Sequence, residues 1–221
     1  MKTGVSMFKG KLVFLSLITA LLCWQVMPAS VDTANGVMVD PCKSTAQGVG
    51  CCYLVCPQGD GTRFDDPGCN AIITIVARDP GGAPISGIPP SDIWLIGCNG
   101  LLCLCGGSGA INADSATNSN GETTISGEMA AGGCDFDGFA VVIQGWVLND
   151  PAPPCVTRLC LPYIVVSPDL NCDLVVDIID LASFAAKYQV PACDPCIDYN
   201  CDGFCDLIDF SIFARHYLHI C

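Results

Sequence analysis

Near its C-terminus the chain carries the same twelve-residue pattern twice, twenty-nine residues apart, at residues 169–180 and 198–209. Each copy places an oxygen-bearing side chain at positions 1, 3, 5, 9 and 12. These are Asp169, Asn171, Asp173, Asp177 and Asp180 in the first, and Asp198, Asn200, Asp202, Asp206 and Asp209 in the second. Four of the five are carboxylates in each copy, and from Ser167 onward Lys187 and Arg215 are the only lysine and arginine. Carboxylates held this close repel one another unless a divalent cation lies among them, so this segment is expected to fold with metal.

The spacing is that of an EF-hand calcium loop, which surrounds a hard cation with six to eight oxygens. In that scheme Val175 and Phe204, at position 7, offer backbone carbonyls. Asp177 and Asp206 bind directly or through water, and Asp180 and Asp209 close the loops. Oxygen-only ligands in this number favour Ca²⁺ over the stricter octahedron of Mg²⁺, so two Ca²⁺ sites are expected. The competing reading, a pair of Asp-rich helix N-caps, does not account for two copies in register. Position 6 needs a positive φ; the second copy has Gly203 there, but the first has Leu174. The strain is about 1 kcal/mol, and the second site is expected to be the tighter.

Residues 1–30 read as a secretory signal peptide. Lys2, Lys9 and Lys11 precede an apolar run at residues 12–26, and Pro28, Ala29 and Ser30 offer small residues for cleavage. The expected location is therefore secreted or extracellular, without a membrane span after cleavage. Seventeen of the 18 cysteines remain, roughly 9 % of the mature chain, which is the range of disulfide scaffolds. The odd number leaves at least one thiol free or bonded to another chain. Cys193 and Cys196, followed by Cys201 and Cys205, have a spacing that would suit zinc in a cytosolic protein. Export, and the position of the last two inside the second loop, favour disulfides. All of the acidic residues lie beyond Ser30, against six basic ones, and the net charge is −13. The sequence has no basic patch to neutralise phosphates, so no nucleic-acid partner is expected.

Between leader and loops the composition changes twice. Residues 31–69 are rich in Cys and Gly and predict an irregular, disulfide-stapled segment without a core of its own. Residues 70–166 alternate short β-branched runs with turns: strands are predicted over 71–78, 93–96, 122–126, 139–148 (the longest) and 163–166, the last at an edge. The predicted class is mainly β, a disulfide-rich sandwich followed by a small α-helical module over residues 167–221. Asp79, Pro80, Gly81, Gly82, Ala83, Pro84, Ile85, Ser86 and Gly87, and later Asn120, Gly121, Glu122, Thr123, Thr124 and Ile125, resemble the turns of bacterial invasin-type Ig-like domains. That resemblance implies an Ig-like β-sandwich and no particular activity. Cys98, Cys103, Cys105 and Cys134 depart from the pattern and suggest a cross-linked edge.

The duplicated loops, each followed by one helix and closed by Asp rather than Glu at position 12, resemble the type I dockerin over residues 167–221. The resemblance implies calcium binding and docking onto a cohesin domain of a scaffold or cell surface, often in polysaccharide degradation. Positions 10 and 11, which in that family contact the partner and are often small or polar, depart from it here as the apolar Ile178, Ile179, Leu207 and Ile208. Either the partner is hydrophobic, or this face packs on the β domain of the same chain. The closeness of dockerin termini implies that Cys221 staples back near the module's start, for instance to Cys172.

Catalytic candidates are few. His216 and His219, three apart in the last predicted helix, have the spacing of metal ligands but read more simply as a solvated face. Asp135 and Asp137 read as a turn rather than a catalytic pair, and Trp94 and Trp146 as core rather than sugar-stacking residues. The chain is therefore expected to be a non-enzymatic, secreted calcium-binding protein that docks through its C-terminal module. In the rival expectation it is structural or adhesive, and calcium only rigidifies the module.

Overall fold

The computed structural model describes residues 37–68, 70–107, 110–188 and 192–221. The signal-peptide reading of residues 1–30 lies outside them. Among the described residues ten strands precede two helices: β1 (Thr45–Gln47), β2 (Cys52–Leu54), β3 (Ile73–Val76), β4 (Ile93–Gly97), β5 (Leu102–Leu104), β6 (Glu122–Ile125), β7 (Ala131–Gly133), β8 (Phe139–Ile143), β9 (Trp146–Val147) and β10 (Ile164–Val166). The helices are α1 (Ile178–Tyr188) and α2 (Leu207–His216). The chain is mainly β and disulfide-rich, as its composition predicts.

The strands form four small sheets. β3 lies between β1 and β6, and β8 between β4 and β9, all antiparallel; β5 pairs antiparallel with β7, and β2 pairs parallel with β10. In β3 and β4 burial alternates, with Ile73, Ile75, Ile93 and Leu95 turned inward as a half-covered strand requires. Every residue of β8 is buried, so both its faces are covered. The predicted long strand over 139–148 is broken at Gln144 and Gly145, whose positive φ values (50° and 81°) turn the chain back as a two-residue hairpin into β9. β10 is less of an edge than expected, because Val165 also exchanges backbone hydrogen bonds with Asp135 (2.8 and 2.9 Å).

Residues 37–68 form no core of their own, but they are less irregular than expected and contribute to the main one. β1 joins β3 and β2 joins β10, while Tyr53 and Phe64 stack at the centre of the main core with centroids 3.9 Å apart. Phe139 and Tyr163 close this aromatic group. Both buried phenols find carbonyls: Tyr53 donates to Gly127 (3.0 Å) and Tyr163 to Ala71 (2.7 Å). Short β runs separated by cysteines bury too little locally. Their apolar residues are completed only by strands distant in sequence.

Six disulfides are described: Cys42–Cys155, Cys52–Cys201, Cys98–Cys160, Cys103–Cys172, Cys134–Cys196 and Cys193–Cys205. Cys51 is disulfide-bonded as well. Three of the six, those of Cys172, Cys196 and Cys201, fasten the C-terminal module to the β region, so the expected local cross-linked edge is a seam between two regions. Cys172 is thereby unavailable to Cys221. The C-terminus still returns to the first loop, by backbone pairing of Val175 with Ile220 and donation from Cys221 N–H to the Leu174 carbonyl (3.1 Å). The module's own core is small: Val176, Phe184, Ile197, Tyr199 and Phe213, completed by Leu54 of β2 and Val166 of β10. Phe184 and Phe213 occupy equivalent places in the two copies and pack together, centroids 5.5 Å apart.

Candidate metal centre

Both predicted loops adopt the same hydrogen-bonded frame. In the first, the Asp169 carboxylate accepts from the N–H groups of Cys172 (2.8 Å), Asp173 (3.2 Å) and Leu174 (2.9 Å). Asp180 reaches back across the loop, accepting from Leu170 (2.8 Å), Asn171 (3.2 Å) and Asp177 (2.9 Å). In the second, Asp198 accepts from Asp202 (3.1 Å) and Gly203 (2.9 Å), and Asp209 from Tyr199 (2.8 Å) and Asp206 (2.9 Å). Side chains at positions 3 and 5 touch in both: the Asn171 amide donates to Asp173 and the Asn200 amide to Asp202, each at 2.9 Å. Position 9 caps the following helix, Asp177 accepting from Ile179 and Asp206 from Ile208, each at 2.7 Å.

This frame follows from local chemistry. Aspartate is short enough to accept from backbone N–H groups a few residues away, and such bonds bend the chain into a loop rather than a helix. The bend requires positive φ at positions 4 and 6. Cys172 and Leu174 have φ of 66°, and Cys201 and Gly203 of 53° and 87°. Leu174 thus occupies the left-handed conformation that Gly203 adopts without a side-chain penalty.

Asp169, Asp180, Asp198 and Asp209 are buried, while Asn171, Asp173, Asn200, Asp202, Phe204 and Asp206 face solvent and Val175 and Asp177 are half-buried. In the first loop carboxylate oxygens of Asp169, Asp173 and Asp180 lie within 4.8 Å of one another. Burial pushes the Asp169 carboxyl above its ordinary range, and the neighbouring Asp180 charge adds to the rise. Asp209 is raised likewise by burial, with the Asp198 charge contributing. Each carboxylate keeps lone pairs beyond those used by the backbone. The arrangement can therefore offer several anionic oxygens to one hard cation, and the ion would remove the repulsion that folding builds up.

Asp169 is seated by the β region. Gly133 N–H donates to its carbonyl (2.8 Å), and a Cβ at Gly132 would come 1.9 Å from its Oδ2. The frame of the first loop therefore needs glycine in β7, a dependence absent from the loop's own spelling.

The other candidates are placed as follows. Asp137 N–H donates to Asp135 (2.8 Å), the turn expected there. Trp94 lies half-buried in β4, whereas Trp146 is 43 % exposed, contrary to a core assignment. The histidines overturn the solvated-face reading: His216 is 2 % exposed, and both rings face Asp60. No residue pattern links them to Asp60, which lies far upstream; only their i,i+3 spacing hinted at a shared site.

Neither a protein-family model nor a curated protein matches the sequence. No helix among the described residues is long and apolar enough to cross a membrane.

Proposed function

We propose that this is a secreted, non-catalytic calcium-binding protein in which residues 167–221 act as a dockerin-like attachment module and the preceding β region is an Ig-like domain carried by it. The single observation that carries the reading is the shared frame of the two loops, with positions 1 and 12 doing the same hydrogen-bonding work in each. The apolar pairs at positions 10 and 11 support docking. Ile178 and Ile179 are 61 % and 54 % exposed, and Leu207 and Ile208 are 73 % and 51 % exposed. The alternative expectation, that this face packs on the β region of the same chain, does not hold. Two equivalent helix starts thus present apolar side chains to solvent, as a surface meeting a hydrophobic partner requires. The partner proposed is a cohesin domain of a scaffold or cell surface, in a setting of polysaccharide degradation.

Capture on immobilised cohesin, with and without chelator, tests this. Calcium-dependent capture that disappears with Asp198→Ala and Asp209→Ala is expected; no capture at any calcium level rejects docking. The structural or adhesive reading has its own support, since three disulfides tie the module to the β region and leave it little freedom as an independent anchor. It is the reading that survives if calcium raises stability while cohesin is ignored.

A further inference from the structure

The seam between the β region and the C-terminal module holds a second cluster, chemically unlike the calcium loops. Cys56 and Asp60 stand four residues apart just after β2, on a turn closed by Gly59 N–H donating to the Cys56 carbonyl (2.8 Å). His216 ends α2, and His219 follows one turn later, its N–H on the His216 carbonyl (3.1 Å) and its carbonyl accepting from Val176 (2.9 Å). Ligand atoms of all four side chains lie within 4.8 Å of one another. Cys56 Sγ is 3.3 Å from His219 Nδ1, and Asp60 Oδ1 is 3.2 Å from His219 Nδ1 and 3.4 Å from His216 Nδ1. Ligand atoms at zinc–nitrogen and zinc–sulfur bond lengths of about 2.0–2.3 Å on a tetrahedron are separated by roughly 3.3–3.8 Å. These contacts fall at or just below such edges.

Simple ion pairing does not explain the cluster. His216 Nδ1 is buried and close to Asp60, yet makes no hydrogen bond. A buried, unsatisfied ring nitrogen aimed at a thiol, a carboxylate and a second imidazole calls for a further atom. The donor set also departs from the rest of the molecule: one sulfur, two nitrogens and one oxygen suit a borderline cation, whereas the loops offer oxygen alone. Cys56 is one of three cysteines described as free, and of the other two, Cys105 lies against Cys221.

We propose that Cys56, Asp60, His216 and His219 bind one divalent transition-metal ion, Zn²⁺ by preference, in a closed four-ligand structural site that clamps the end of α2 to the β region. The site is independent of calcium in the loops, because it shares no ligand with them. Two ligands come from each region, so the ion acts as a fourth cross-link beside the three disulfides of the seam.

The test uses the full secreted chain, purified in calcium-containing buffer, with metal content measured per chain and Co²⁺ used as a spectroscopic probe. One equivalent of zinc is expected, together with a thiolate-to-cobalt charge-transfer band. Cys56→Ser removes that band. His219→Gln, at a partly exposed position that the fold tolerates better, weakens zinc binding on the order of 100-fold or more, beyond what loss of a supporting hydrogen bond produces. Asp180→Ala leaves zinc bound while lowering calcium binding, which separates this proposal from the calcium reading. Zinc binding unchanged in both Cys56→Ser and His219→Gln would overturn it. So would a folded chain that takes up no zinc, or peptide mapping that finds Cys56 in a disulfide.

Discussion

The two loops of the C-terminal module are spelled alike and framed alike, but they are held differently. The first is built into the β region: Asp169 sits over Gly132 of β7, and Cys172 is bonded to Cys103 of β5. The second is tied to β2 through Cys52–Cys201 and braced from within by Cys193–Cys205. The first carries the strained Leu174 yet draws three carboxylates together. The second has Gly203, around which a Cβ would meet nothing within 4 Å. Backbone ease and ligand convergence therefore favour opposite loops. What the pair teaches is that a repeated motif can keep its hydrogen-bond frame while its surroundings decide how well it is preorganised.

The largest expected effect comes from removing the closing carboxylates. Asp180→Ala and Asp209→Ala each strand backbone N–H groups that the carboxylate satisfies, at about 1–3 kcal/mol apiece. Each variant should lose calcium at its own loop by roughly 100-fold or more in calorimetric titration, while the other loop still binds. Loss of both sites from either change would make the loops one cooperative unit. Next, Gly132→Ala places a methyl group against the Asp169 carboxylate, an overpacking of about 1–3 kcal/mol. Calcium affinity should fall at the first loop only; an unchanged titration would show that the β region does not seat it.

Smaller again is the exchange at position 6. Leu174→Gly should raise affinity at the first loop by about 1 kcal/mol, some fivefold, and Gly203→Ala should lower the second by a similar amount. Two equally tight sites, indifferent to both changes, would dismiss backbone strain as the difference. The smallest effect on stability belongs to the exposed pairs: Ile179→Ser with Ile208→Ser should shift unfolding by no more than about 0.5 kcal/mol. The same double variant should abolish cohesin capture if the apolar face is the docking surface.

The loops and the helices after them were legible in the residues because the frame is local: an aspartate accepts from N–H groups within a few positions, and each helix starts on an aspartate cap. β3, β4, β6, β8 and β10 were legible for a similar reason, as β-branched runs bounded by turn residues, although the hairpin at Gln144 and Gly145 hid inside an apolar stretch; β1, β2, β5 and β7, short and set among Cys and Gly, were not predicted. The part that residues 37–68 play in the main core was not legible, because Tyr53 and Phe64 stand amid Cys, Gly and Asp, and their partners Phe139 and Tyr163 are remote in sequence.

The sequence by itself determined two oxygen-lined loops, the short helices behind them, a mainly β remainder and a heavy use of disulfides, since spacing and composition encode these at short range. Tertiary structure alone decided which cysteines pair, because six in one module already allow fifteen arrangements and three of them chose partners outside it. It alone exposed the apolar pairs at the helix starts, and it alone brought Cys56 and Asp60 against His216 and His219. Such meetings depend on how two regions pack across a seam, and packing is a property of surfaces assembled from distant residues.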